Sequence, residues 1–556
     1  MYIRTISRRN KDGSEVRYVQ LAHNVWDRKA KCAKAQMIYS FGREDELDRE
    51  ALKRLARSIG RFLSPEDALE AGAGPLKFLS SAPMGGACVL DHLWRELRID
   101  EALTKLLKGR KYQIPVERAI FSMVAGRALA PSSKLAIEDW VSRVAVPGVS
   151  EIEVHSLYRA MDFLLEAAEE IQREVFFSVA NLLNLEVDLI FFDTTSVYFE
   201  TEEEDEDEGE EPGLRKRGYS RDKRPDLPQA VVGLAVTREG IPVRCWTWPG
   251  NTMDASVIRE VKDDLAGWRL SRVVTVTDRG FSSEENLRYL KRGGGHYICG
   301  EKMRSGKPEV EAALASPGRY RKVSGNLEVK EITIGDGEAR VRYVLARNPE
   351  RARRDRCERE AIVGTLEEEL SRLKETKGEA HSRAACALIA HKAYGRYLKV
   401  GKSGNPILDR KKIQEDEGLD GKYLIRTSDD TLSAEDVALG YKQLAEVEAA
   451  FRSPKHTLDI RPVNHRKAER IKSHVLLCWL ALLLVRVAEN RCGDTWRNIR
   501  TELDRMHLGL FSGPDGLVKQ RTETTPAQRR IFSALDIPEP PLITEISPKK
   551  ARKKAA

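Results

Sequence analysis

V-D-L-I-F-F-D-T-T-S-V-Y-F-E, residues Val187–Glu200, is the stretch on which the reading of this chain turns. Val187, Leu189, Ile190, Phe191 and Phe192 form a near-continuous β-branched and aromatic run, the composition of a strand covered on both faces of a sheet. The run ends on Asp193. A carboxylate at the end of a buried strand is unfavourable unless something pairs with it, and a divalent cation is a natural partner. A solvated aspartate at a strand end is the plainer reading, and a second stretch overturns it. Arg272–Asp278, R-V-V-T-V-T-D, repeats the pattern and leads through R-G-F into the helix-like S-S-E-E-N-L-R-Y-L.

A third carboxylate comes from Ser433–Arg452, S-A-E-D-V-A-L-G-Y-K-Q-L-A-E-V-E-A-A-F-R. Ser433 is placed to cap a helix whose first turn holds Glu435 and Asp436. Val437, Tyr441, Leu444, Glu448 and Phe451 then fall on one stripe, with Glu446 roughly opposite. A glutamate on an apolar stripe calls for a partner, so Glu448 joins Asp193 and Asp278 as a candidate catalytic and metal-ligating residue. Such a trio suits two Mg²⁺ or Mn²⁺ ions about 4 Å apart, one activating a water or a 3′-hydroxyl and the other stabilising the leaving oxygen at phosphorus.

Around these residues the chain alternates in character. Residues 1–84 read as a small β unit, with strands at Tyr2–Ile6, Val16–Leu21 and Ala35–Phe41 and a K-D-G turn at Lys11–Gly13, followed by a helix over Glu44–Phe62. Residues 85–185 are helical, ending in one long helix over Ser156–Leu183, and Lys105, Lys108, Arg110 and Lys111 cluster as a possible DNA contact. Residues 186–300 give three strands joined by short turns, then helix, strand, helix and strand, the order of an RNase H-like core. Residues 301–432 read as a separate β-rich insertion domain with a charged helix over Arg351–Lys377 and strands at Ser382–Val400 and Gly421–Arg426. Residues 433–500 return to the core with the glutamate helix, and 501–556 form a C-terminal region ending in the disordered basic tail P-K-K-A-R-K-K. The fold class expected is α/β: an RNase H-like mixed sheet flanked by helices, interrupted by the insertion and preceded by a mainly helical domain.

The 556 residues, 41% hydrophobic and 32% charged, are enough for three or four globular domains. The net charge of +8 becomes +18 once the ten acids of Glu200–Glu211 are set aside, an excess that points to a polyanion such as nucleic acid. The acidic run itself reads as a solvated, disordered loop. The eight cysteines show no zinc spacing and fit a reduced, cytoplasmic protein. The N-terminus has no apolar signal region, and the longest apolar run, Val475–Val485, is short for a membrane span. Trp246 and Trp248 read as sheet packing rather than base-stacking platforms, and His465 and His474 as hydrogen-bonded structural residues.

Several motifs stand in a fixed order: F-D-T-T-S at Phe192–Ser196, G-Y-S-R-D at Gly218–Asp222, R-P-D-L-P-Q at Arg224–Gln229, P-G-N at Pro249–Asn251, D-R-G-F at Asp278–Phe281, D-G-K-Y at Asp420–Tyr423, and F-R-S-P-K with I-R-P-V-N-H at Phe451–His465. With them, over roughly Gly85–Val487, the chain resembles the DDE transposases of bacterial insertion sequences, in the branch with a β-rich domain inserted before the glutamate. That branch carries Y-x2-R-x3-E-x6-K on the glutamate helix, and Tyr441, Glu448 and Lys455 match while Leu444 replaces the arginine. Pro454 ends the helix near Arg452 and sets Lys455 on a turn. The resemblance implies Mg²⁺ or Mn²⁺ as a pair of ions and double-stranded DNA as partner, both transposon inverted-repeat ends and target. It also implies a homodimer in the synaptic complex and no membrane. Tyr441, Lys442, Arg452, Lys455, Arg461 and Arg279 are then the candidate DNA-binding residues. The alternatives are a structure-specific nuclease on the same core and a domesticated DNA-binding protein without catalysis.

Overall fold

The computed structural model of the chain describes residues 1–10, 15–27, 30–60, 76–183, 185, 188–207, 209, 212–268, 274–337, 340–402, 404–444, 463, 465–513 and 516–548. Two compact units emerge: Met1–Gly85 with Asp504–Arg530 and Pro538–Ala556, and Gly86–Leu503 with Ile531–Ile537.

In the first unit, β1 (Tyr2–Arg9), β2 (Glu15–Asp27) and β3 (Cys32–Arg43) form an antiparallel meander, each strand longer than its alternation predicts. The K-D-G turn lies outside the described residues. The helix α1 (Arg49–Gly60) follows, and β4 (Lys77–Pro83) enters a second sheet with the C-terminal strands β14 (His507–Gly513), β15 (Gly516–Arg521) and β16 (Ile543–Pro548). That pairing joins segments more than 420 residues apart, as in the Ser81 hydroxyl 3.4 Å from His507 Nδ1. The basic tail beyond Pro548 lies outside the described residues.

The second unit opens with a helical bundle: α2 (Gly85–Glu96), α3 (Ile99–Leu107), α4 (Val116–Leu129), α5 (Lys134–Arg143), α6 (Val154–Glu166) and α7 (Ala168–Leu182). The single long helix expected over Ser156–Leu183 is broken at Ala167, which caps both α6 and α7. The basic cluster after α3 is partly neutralised, Lys105 by Glu174 (2.9 Å) and Arg110 by Glu166 (2.7 Å).

The core sheet follows from β5 (Leu189–Tyr198), β6 (Gln229–Val236), β7 (Pro242–Pro249), β8 (Val274–Thr277) and β9 (His296–Glu301). The order β7-β6-β5-β8-β9 has the first three strands antiparallel and β8 and β9 parallel to β5, which is the RNase H-like arrangement. Helices α8 (Asp254–Gly267) and α9 (Glu284–Lys291) cover one face, where Phe192, Trp246, Ile258, Phe281 and Leu287 share a buried core. Trp246 and Trp248 stack on each other in that core, with indole N–H groups donating to Asp264 and Glu260 at 2.8 Å. They pack the sheet.

The sheet does not end at β9. Strands β10 (Arg321–Ser324), β11 (Leu327–Ile334), β12 (Val341–Arg347) and β13 (Lys422–Thr427) continue it antiparallel, β13 pairing with β9 through Leu424↔Glu301 to Thr427↔Ile298. The strands of the insertion, expected to form a domain apart, are therefore an extension of the core sheet: β13 satisfies the open edge of β9. Between β12 and β13 run the charged helix α10 (Pro349–Glu375) and α11 (Gly378–Ala390). The strand expected over Ser382–Val400 is instead α11 up to Ala390 and then turns, with only Leu398–Val400 extended. Its Ala-rich run A-A-C-A-L-I-A favours a helix.

The acidic run is also ordered over its described part. Asp205 pairs with Arg215 (2.5 Å), Asp207 with Lys216 (2.7 Å) and Glu204 with Arg217 (3.3 Å), so the segment folds back on the basic residues that follow it. Opposite charge within a short loop replaces the disorder that charge alone predicts. The helix α12 (Ala468–Cys492) is long and apolar enough by composition to cross a membrane. Its apolar window is 89% buried, against α4, α6 and β7, which makes it the central core helix of this unit.

Candidate active site

Asp193 does not end its strand. Pairing with β6 carries β5 on to Tyr198, and it is the parallel pairing with β8 that stops, at Phe192↔Thr277. The next residue on each strand is an aspartate, so this register sets Asp193 and Asp278 side by side where the sheet opens. Asp193 Oδ1 accepts the amide of Thr194 at 2.7 Å. Burial pushes its carboxyl up to about 6; Arg221 and the Thr194 amide oppose this, while Asp278 and Asp254 add to it.

Tyr441 reaches the second aspartate, its hydroxyl donating to Asp278 Oδ1 at 3.2 Å while its ring stacks on Tyr423. Burial and the Asp278 charge raise the Tyr441 phenol well above its usual range, so it stays a donor. Residues 434–444 are helical, and Ser433 Oγ accepts the amide of Asp436 at 3.0 Å, the cap expected from the sequence. Gly440 of this helix lies over Leu189 and Ile298, which brings the helix onto the sheet face that β5 offers through Leu189. A Cβ on Gly300, beside Asp278 on β9, would lie 2.1 Å from Tyr441 Oη. Glycine is what admits the phenol.

Of the other residues singled out in the sequence, Lys442 is exposed and its ammonium lies 3.2 Å from Asn326 Oδ1. Leu444 is buried. Arg279, exposed in the turn after Asp278, lines a cleft of about 490 Å³ beneath α10, whose walls also carry Arg351, Arg359, Arg396 and Lys422. Much of that charge is paired: Arg359 with Asp420, Arg396 with Asp416, and Arg351 with Asp355 at 2.8 Å. Glu446, Glu448, Arg452, Pro454, Lys455 and Arg461 lie outside the described residues. His465 packs edge-on against Tyr158, and His474 Nδ1 lies 3.3 Å from the Lys134 ammonium.

Sequence reasoning missed a second layer around Asp193. Arg221, from G-Y-S-R-D, donates through Nη2 to Thr194 Oγ1 and Asp254 Oδ2, both at 2.5 Å. Thr194 Oγ1 donates to Asp254 Oδ1 at 2.6 Å, and the Arg221 amide donates to Ser196 Oγ at 3.1 Å. The loop is held there by contact of bare backbone: a Cβ on Gly250 would lie 2.0 Å from Gln229 O and 2.1 Å from Lys216 O. The glycines of G-Y-S-R-D and P-G-N were the available signal, because they mark where two loops touch.

Two adjacent carboxylates, one of them hard to ionise, are the donor set a hard divalent cation takes. Among the described residues no group of three His, Cys, Asp or Glu converges for a metal ion.

The sequence matches two family models: the IS1634 family transposase, N-terminal domain, over residues 3–69, and the transposase DDE domain over residues 188–484, more than half of the chain. No curated protein matches it. Among solved structures, the cryo-EM structure of the piggyBac transposase synaptic complex with hairpin DNA is similar at 10% identity and a TM-score of 0.34, over 75% of this chain and 79% of that one. A likeness that distant bears on neither fold detail nor function.

Proposed function

The chain belongs to the DDE transposases of insertion sequences, and from that premise we propose that it binds the inverted-repeat ends of its element, cuts them hydrolytically and joins the freed 3′-hydroxyls to target DNA. The observation that carries this reading is the register that makes Asp193 and Asp278 neighbours at the opening of the sheet. Asp193, Asp278 and Glu448 would hold Mg²⁺ or Mn²⁺, two ions, and the chemistry such ions supply is activation of the attacking hydroxyl and charge compensation at the leaving oxygen.

In the first step a water oxygen bonds to phosphorus and the P–O3′ bond breaks, leaving a 3′-hydroxyl on one side of the cut and a 5′-phosphate on the other. In the second step that 3′-hydroxyl attacks a target phosphorus, one phosphodiester forming for each one broken. The protein's own part is orientation. Tyr441 holds one oxygen of Asp278, and the Thr194 amide holds one oxygen of Asp193, so the free oxygens face the reaction from fixed positions. Arg279, Lys442, Arg452, Lys455 and Arg461 supply phosphate contacts, residues 1–84, 85–185 and 301–432 grip duplex DNA, and two copies act together because an element has two ends.

The test is cleavage of DNA carrying the repeats that flank the reading frame, with Mg²⁺ or Mn²⁺, by the unaltered protein and by Glu448→Gln. Metal-dependent nicking at the element boundary, lost in the variant, is the expected result. Specific end binding without cleavage in either protein would instead make it a DNA-binding protein. Cleavage unaffected by the substitution would move the third carboxylate to Glu446.

A further inference from the structure

We propose that Arg221 is a substrate-binding catalytic residue, its guanidinium taking a non-bridging oxygen of the DNA phosphate that is cut between Asp193 and Asp278. This rests on the transposase reading above and adds a residue to it.

Three observations carry the inference. Arg221 is held from several sides: Nη2 by Thr194 and Asp254, its amide by Ser196, and its loop by the backbone contact at Gly250. A side chain so fixed has already lost the freedom that binding would otherwise remove. Next, only one edge of its fork is used. Nη1, covered in the DNA-free fold, donates to no acceptor among the described residues, while 26% of the side chain stays exposed; an unmade hydrogen bond of this kind is unfavourable until something accepts it. An arginine fork with one edge anchored and the other unspent is the donor that matches a phosphate oxygen.

Finally, the location is right. Thr194 adjoins Asp193 in the chain, and Asp254 Oδ2 lies within 4.0 Å of where a Cβ on Gly280 would stand, two residues beyond Asp278. The Arg221–Asp254–Thr194 group therefore bridges the two segments that carry the aspartates. In the described part of the 434–444 helix the one cation, Lys442, is exposed with its ammonium by Asn326, and Leu444 is buried. Thr194 and Asp254 are positioning residues; Arg221 is the one that touches DNA.

The experiment uses full-length protein and a duplex carrying the element end, with the scissile phosphate either normal or replaced by each phosphorothioate diastereomer in turn. Single-turnover cleavage is measured in Mg²⁺ and in Mn²⁺, and binding of the same duplex by fluorescence anisotropy without divalent ion. Arg221→Lys should cut the normal phosphate about 10²–10³-fold more slowly, the loss typical of one transition-state donor. It should also lose the unaltered protein's discrimination against one diastereomer, because the sulfur then replaces an oxygen that nothing contacts, while end binding changes little.

Asp254→Asn loosens the guanidinium but keeps it, so it should cleave more slowly and still discriminate. Slow cleavage by Arg221→Lys with the discrimination intact would reduce Arg221 to a structural brace and overturn the inference alone. Loss of discrimination in Asp254→Asn with Arg221→Lys retaining it would overturn it as well. If the unaltered protein cuts no element end, the transposase reading falls and this inference with it.

Discussion

Gly300→Ala is a one-methyl change whose effect can be worked out from the structure. The added Cβ would stand 2.1 Å from Tyr441 Oη, 2.7 Å from Cζ and 3.1 Å from Cε2, whereas ordinary contact begins at 3.4 Å. The hydroxyl must therefore retreat by about 1.3 Å, and the ring by less. Tyr441 is wedged between β9 and Tyr423, so the strain is not relieved by a simple rotation; overpacking of this kind costs about 1–3 kcal/mol. The same movement takes the phenol out of reach of Asp278 Oδ1, now at 3.2 Å, and a misplacement of about 1 Å at a reacting group lowers rates by roughly 10²-fold. End cleavage by Gly300→Ala should thus fall far more than its melting temperature. Tyr441→Phe removes the same hydrogen bond without the clash, so it should slow cleavage with little loss of stability. In the double variant the two rate effects should overlap rather than add, because one hydrogen bond cannot be lost twice. Wild-type cleavage and stability in Gly300→Ala would refute the placement of Tyr441 on Asp278.

The carboxyl of Asp193, pushed up to about 6 by burial, binds its proton more tightly folded than unfolded, so metal-free protein should lose stability as pH rises from about 4 to about 6, by on the order of 2–3 kcal/mol. Asp193→Asn stays neutral and should escape that loss, its melting temperature drawing above the unaltered protein's over that window; parallel curves would refute the burial argument. Neutralising Glu204, Asp205 and Asp207 together frees Arg215, Lys216 and Arg217, and should steepen the salt dependence of nonspecific DNA binding by up to about 3 in log–log slope. An unchanged slope would mean that these cations never meet DNA. Ser433→Ala removes the cap of the helix that presents Tyr441 and should lower stability in urea unfolding by about 1 kcal/mol. A loss within error would show that water caps the helix equally well.

Why some of this was readable in the chain and some was not comes down to the range of the interactions. Strands β5 and β8 announce themselves because β-branched and aromatic residues crowd a strand packed inside a sheet, and Phe191, Phe192, Val274 and Val276 are all buried. The cap at Ser433 was readable for the same reason, since it depends on residues within one turn. Register is different: one residue of slip between β5 and β8 would separate Asp193 from Asp278, and only the paired sheet fixes it. The Arg221 bridge is further from view, because its partners lie 27 and 33 residues away, on β5 and at the start of α8, and Arg221 itself stands in a loop with no periodicity. Even there the chain leaves a trace. Gly218 and Gly250 are placed where a methyl group would strike carbonyl oxygens at 2.1 Å or less, and in each case the backbone struck belongs to the other loop or its neighbours. Contacts between backbones exclude every side chain but hydrogen, so a glycine in a motif rich in charge points to a loop pressed against another part of the fold. The motif glycines therefore carry information that the charged residues beside them do not. They say where the loop must go, and Arg221 has its place beside the carboxylates because of it.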